Sequence, residues 1–150
     1  LDLVNQRRSV RSFTGQEVEQ EKIHRILHVA RSAPSAGGLK AYQIITVRDQ
    51  ETKHALSEAA HGQEFVAQAP FVLVFLADEN LRDSKYGVRG AKLFCVQDAT
   101  IAAAYAQLAA TDQGLASCWV GAFSEDAVAQ AVGAHSRLRP VAMLPIGYAG

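Results

Sequence analysis

Three short segments hold residue types that could do chemistry together. Arg7-Arg8-Ser9-Val10-Arg11 sets three guanidiniums and a hydroxyl within five residues. A guanidinium is a planar fork of donors and serine adds one more, a combination that grips phosphate; the same run also suits a solvated basic helix end. Pro34-Ser35-Ala36-Gly37-Gly38 is a run of small residues. Such a run lets backbone groups approach a flat ligand without side-chain interference, or makes a turn that needs glycine for its backbone angles. Ser117-Cys118-Trp119-Val120-Gly121-Ala122-Phe123 ends a candidate strand in small residues just before a helix start. Exposed N–H groups at such a point can donate to an electron-rich heteroatom. The aromatic residues of this segment, Trp119 and Phe123, are expected in the core.

Other chemistries lack their residues. There is no G-x-S-x-G elbow, no G-x-x-x-x-G-K-[ST] loop and no G-x-G-x-x-G fingerprint. His24 and His28 stand at i, i+4, but no Glu follows the first and no third ligand is in view, so a solvent-facing pair is expected rather than a metal site. No carboxylate pair stands out as an acid/base couple, and no side chain is assigned as catalytic. An enzyme built on this chain would leave its hard chemistry to a cofactor.

The elements that must position these segments follow from periodicity. Glu17 to Ser32 predicts an amphipathic helix, with Ile23, Ile26, Leu27 and Ala30 on one face. Tyr42 to Val47 predicts a strand and Glu51 to Ala60 a helix. Phe71 to Ala77 is a continuous apolar run, the pattern of a strand buried on both faces. Lys92 to Asp112 is apolar nearly all round and alanine-rich, so it predicts a central helix, capped by Gly114. A short strand over Ser117 to Val120 follows. Ser124 then caps a helix running to Val132, and Pro140 to Tyr148 forms a final strand or strand pair. The order fits one sheet with helices on both faces, α+β or mixed α/β rather than doubly wound.

The chain has 150 residues, 49% hydrophobic and 20% charged, with 15 basic against 15 acidic side chains. That predicts a single domain over residues 1–150 with a sizeable core. Zero net charge gives no general pull toward nucleic acid. No apolar run approaches the ~18–20 residues that span a bilayer, and no secretory leader is read. Cys95 and Cys118 read as buried thiols of a cytoplasmic protein.

Taken in order, RRSVRSF, APSAGGLKAY, QDATIAAAYAQLAA, GLASCWVGAF and RPVAMLPIGY resemble the FMN-dependent nitroreductase family over Gln6 to Tyr148. The PSAGG form is also similar to the azoline-oxidase branch of that superfamily. The resemblance implies an α+β sandwich, a central mixed sheet flanked by helices, completed by homodimerisation with FMN at the interface. It implies hydride transfer from NADH or NADPH through flavin N5 to a nitroaromatic, quinone or similar small acceptor, by a ping-pong route. Arg7, Arg8 and Ser9 then match the phosphate and ribityl grip, and Arg11 a cation at the flavin's pyrimidine edge. Pro34, Ser35, Ala36, Gly37 and Gly38 match a loop against the ring, contributed by either subunit. Gly121 and Ala122 match amides that address N5 and O4, and Gln63 a ring-edge hydrogen bond. Gly38, Lys40 and Ala41 stand where many relatives carry Asn, Gln and Pro, and the chain ends at Gly150 without a basic residue that many relatives place beyond the last strand. These departures imply a changed polar contact, and either a weaker hold on FMN or a basic residue supplied from outside this sequence. They leave an FMN-dependent oxidase of an azoline-like substrate, a non-catalytic flavin-binding module and a cofactor-free structural dimer as alternatives.

Overall fold

The computed structural model describes residues 1–80 and 86–150. A short helix α1 (Asp2–Gln6) and the amphipathic α2 (Gln20–Arg31) precede strand β1 (Tyr42–Val47). Helices α3 (Gln50–Ala59) and α4 (Phe65–Gln68) lead into β2 (Phe71–Asp78). Then α5 (Gly87–Arg89) runs through a π-helical segment, Gly90–Phe94, into α6 (Cys95–Asp112). β3 (Ala116–Ser117), α7 (Glu125–Val132) and β4 (Leu138–Gly147) complete the chain. The sheet order is β1-β2-β4-β3.

All eight residues of β2 are buried, as the apolar run predicts. Successive strand residues face opposite sides. Phe71, Leu73, Phe75 and Ala77 pack with α2 and α6, whereas Val72, Val74 and Leu76 pack with α3, α4 and α7. The molecule is therefore a three-layer α+β sandwich. Its four strands pair antiparallel throughout. The parallel component expected of a mixed sheet is an isolated bridge between Ser9 and Ser117. Helices on both faces, rather than parallel pairing, account for the unbroken apolar run in β2.

Several boundaries move for tertiary reasons. The first amphipathic helix starts at Gln20, not Glu17, and Glu19 at its N-cap makes no capping bond. The Glu19 carboxylate instead accepts from Tyr148 near the chain end at 2.7 and 2.9 Å. The expected strand over Ser117 to Val120 is reduced to two residues plus a bridge between Val120 and Met143. Pro140 to Tyr148 becomes one strand beginning at Leu138. The helix from Gly87 to Asp112 is long and apolar enough to cross a membrane by length and composition, longer than the sequence reading allowed. Half of its most apolar stretch is buried inside the fold, where its alanines meet α2 and the sheet. Ser124 caps α7 by accepting from Ala127 N–H at 3.2 Å, as expected.

Candidate functional site

Residues 7–14 run along the end of the sheet as an extra extended strip. Val10 N–H donates to the Ser117 carbonyl at 3.0 Å, and Thr14 N–H to the Tyr148 carbonyl at 3.0 Å. Val10 and Phe13 are the buried anchors of the strip. Between and before them, Arg7, Arg8, Ser9 and Arg11 are exposed. Among the described residues none of the three guanidiniums forms an ion pair. Ser117 itself is buried and its hydroxyl accepts from Gln107 of α6 at 3.1 Å. The core helix thus sets the strand against which the arginine strip lies.

The third segment continues from that strand. Val120 exchanges both backbone hydrogen bonds with Met143, at 2.9 and 3.0 Å. The chain then leaves the sheet, and Gly121 and Ala122 are exposed. Their N–H groups have no acceptor among the described residues. Trp119, expected in the core, is 36% exposed, and its indole lies beside Gly121. Phe123 is half-buried against the α7 side of the core. Burial raises the Cys118 thiol pKa, and the charge of Arg11 partly offsets this. The first and third segments are therefore joined at Ser117, with the arginine strip on one side and the chain leading to the free amides on the other.

The second segment lies elsewhere in the chain. Gly37 and Gly38 both have positive φ, +60° and +71°, so the turn requires glycine for its angles. At Gly37 a Cβ would also sit 2.8 Å from the Tyr86 hydroxyl. Asp98 of α6, 3% exposed, pins the loop: its carboxylate accepts Ala36 N–H at 3.0 Å and Ala41 N–H at 3.3 Å. The Ser35 hydroxyl accepts from Lys40 N–H at 3.0 Å, so it serves the turn. Pro34, Ser35 and Ala36 line an open, mainly apolar cavity of about 520 Å³ with Phe94, Asp98 and Ile101. This loop enters β1, whereas the arginine strip lies by β3, the opposite sheet edge. Three strand spacings separate those edges, about 14 Å.

Gln63 sits in the turn between α3 and α4, where its side-chain amide donates to the Ala60 carbonyl at 2.9 Å. His24 and His28 are exposed, and no group that could hold a metal occurs among the described residues. Asp98 and Gln107 escape sequence reading. The signal for both is a polar residue amid an alanine-rich run, and only the packing shows what each one holds.

An α+β sandwich with exposed, unpaired arginines and free amides toward one sheet edge is what fold and site define. The chain belongs to the nitroreductase family, whose model matches residues 4–67 and 57–148. It is 37% identical over 126 residues to the FMN reductase (NAD(P)H) of Bacillus subtilis (strain 168), covering 77% of this chain and 51% of that protein. It is 32% identical over 126 residues to the oxygen-insensitive NADPH nitroreductase of Salmonella typhimurium, covering 81% and 52%. The structure of NfrA2 from B. megaterium superposes with a TM-score of 0.90 at 30% identity, covering 99% of this chain and 65% of that one. A nitroreductase family protein from Clostridium novyi NT gives a TM-score of 0.90 at 27% identity, covering 99% and 84%. The chain spans about half the length of those two curated relatives.

Proposed function

We propose that this chain is an FMN-dependent oxidoreductase that takes hydride from NADH or NADPH and reduces a nitroaromatic, quinone or similar small acceptor. The observation that carries the reading is the Ser9–Ser117 pairing, which ties the strip of three unpaired guanidiniums to the segment that runs on to the free amides of Gly121 and Ala122. The residues present fit the cofactor. Arg7, Arg8 and Ser9 offer donors to a phosphate and to ribityl oxygens, and a guanidinium is the best match for a phosphate's oxygens. Arg11 offers positive charge where electron density gathers on the ring's pyrimidine edge. Gly121 and Ala122 offer N–H donors to the N5 and O4 edge. Gln63 keeps one amide hydrogen for a ring-edge bond.

Bound there, FMN supplies a hydride-exchanging N5 that a nicotinamide and an acceptor can use in turn. The protein's own work is to bind and orient, so no acid or base side chain is needed at the site.

The active unit in this reading is a homodimer. α6 leaves Ile101, Ala104, Tyr105 and Leu108 exposed or half-buried along one face. That face is continuous with the apolar cavity of the Pro34–Ala36 loop through Ile101. α1, which packs on α6, adds exposed Val4. A second copy seated on this face would bring its own Pro34–Gly38 loop toward the arginine strip, which one chain keeps at the opposite sheet edge. The two buried free thiols support a cytoplasmic location.

The test is the visible spectrum of the protein purified with FMN supplied, repeated without oxygen after adding NADH or NADPH. Retained flavin that bleaches with either nucleotide supports the reading. Flavin that survives both nucleotides would replace the reductase with an oxidase or carrier, and protein that retains no flavin would overturn the reading.

A further inference from the structure

We propose a second anion site, for a small phosphate or carboxylate, in the cavity where the approach to α2 meets the first turn of α3. The cavity encloses about 310 Å³, and Gly15, Glu17, Arg48, Gln50, Lys53 and Gln68 form most of its polar wall. None of the arginines of the Arg7–Arg11 strip lines it. The site is built on Lys53. This side chain is only 5% exposed, and its ammonium donates to the Ala69 carbonyl at 2.7 Å. That bond uses one of three protons, and the other two have no acceptor among the described residues. No carboxylate lies within 4 Å of it among the described residues.

A buried ammonium facing only a carbonyl dipole is costly, because the dipole replaces little of the lost hydration. Burial accordingly lowers the Lys53 pKa, and the more distant Asp49 and Glu17 only partly restore it. Arg48 brings a second cation to the same wall; its guanidinium donates to the Gln20 side chain at 2.6 Å and pairs with no carboxylate. Glu17 is the one carboxylate in the lining, is exposed, and pairs with neither cation. Two cations and one carboxylate line the wall, and Asp49 just outside the lining also acts on Lys53, so the site rests on the unfilled donors of Lys53 and Arg48 rather than on net charge. The volume is at the small end for ligand pockets, so it suits inorganic phosphate or a short organic acid rather than a nucleotide.

The test is thermal unfolding of the FMN-supplied protein in inorganic phosphate or acetate, against chloride at matched ionic strength. Five proteins are compared: the parent, Lys53→Met, Arg48→Gln, Glu17→Gln, and the double variant Arg7→Ala with Arg8→Ala. A rise in Tm is expected with at least one oxyanion, and which one acts identifies the ligand chemistry. Lys53→Met should weaken that response at least about tenfold, since it removes a charged hydrogen bond. Arg48→Gln, an exposed change that leaves the core intact, should weaken it as well. The double variant should keep it. The proposal is overturned by a response lost only in the double variant, which would place the anion on the arginine strip. It is also overturned by no response in the parent, including the case where Glu17→Gln then uncovers one, because Glu17 would be the cavity's own counter-ion.

Discussion

Arg7 and Arg8 are two exposed side chains whose value lies in what they leave unpaired. Each offers a fork of donors that no carboxylate of the described residues occupies. Replacing both with Ala should weaken FMN retention by about a hundredfold or more, since each charged hydrogen bond contributes roughly 1.5–3 kcal/mol. Circular dichroism should be unchanged, because neither side chain is buried. Flavin content after gel filtration is the measurement, and undiminished flavin would remove the strip from the site. Asp98 works differently. Its two carboxylate oxygens hold two amides of one loop. Asn can accept only one of them and turns an N–H₂ toward the other. Asp98→Asn should therefore cost about 1–3 kcal/mol in urea unfolding. It should also loosen the Pro34–Gly38 loop, read as faster proteolysis there. The arginines were legible in the sequence because their type and spacing state their chemistry. Asp98 was not, because its meaning depends on a loop 57 to 62 residues earlier in the chain.

At the scale of elements, β1 matched its sequence pattern residue for residue, and β2 differed only by the added Asp78. Both carry β-branched and aromatic runs that favour the extended state, and in β2 burial of every residue leaves little choice. Less legible was the start of α2, where a long-range contact overrides local preference. Tyr148 donates to Glu19 and accepts from Lys22 at 2.9 Å, tying the first turn of α2 to the end of the chain. The Tyr148 and Lys22 hydrogen bonds hold the Glu19 pKa below its ordinary 4.5. The contribution of Glu19 to stability is thus complete above that pH and is lost as pH falls through the lowered value. Tyr148 and Glu19 raise Lys22 above its ordinary 10.5, so its contribution is complete below that pH and is lost as pH climbs through the raised value. Tyr148→Phe removes the leading cause of both shifts. It should flatten the stability profile at its acid and alkaline ends, measured by urea unfolding between roughly pH 3 and pH 11. A profile as steep as the parent's would mean that solvent already screens the cluster.

For the whole molecule, the outer face of α6 is the surface on which the proposed dimer rests. In an isolated subunit, Tyr105 stands 38% exposed on the helix that also fills the core. Tyr105→Glu with Leu108→Glu should halve the mass seen by light scattering and release flavin, while the core residues facing β2 remain packed. A parent protein that is already monomeric with flavin bound would refute the dimeric site. The sequence by itself determined the longer elements, the helix-flanked sheet and the arginine, small-loop and glycine segments, because periodicity and side-chain chemistry are local properties; the short α1 and α4 carry too few turns to show a period. It could not say that Ser9 would meet Ser117, or that the Pro34–Gly38 loop would lie at the other sheet edge. Those follow from the strand order β1-β2-β4-β3 and from Asp98 and Gln107 on one core helix. Only the folded chain brings such groups together, because strand order and helix packing join residues that local preference never relates.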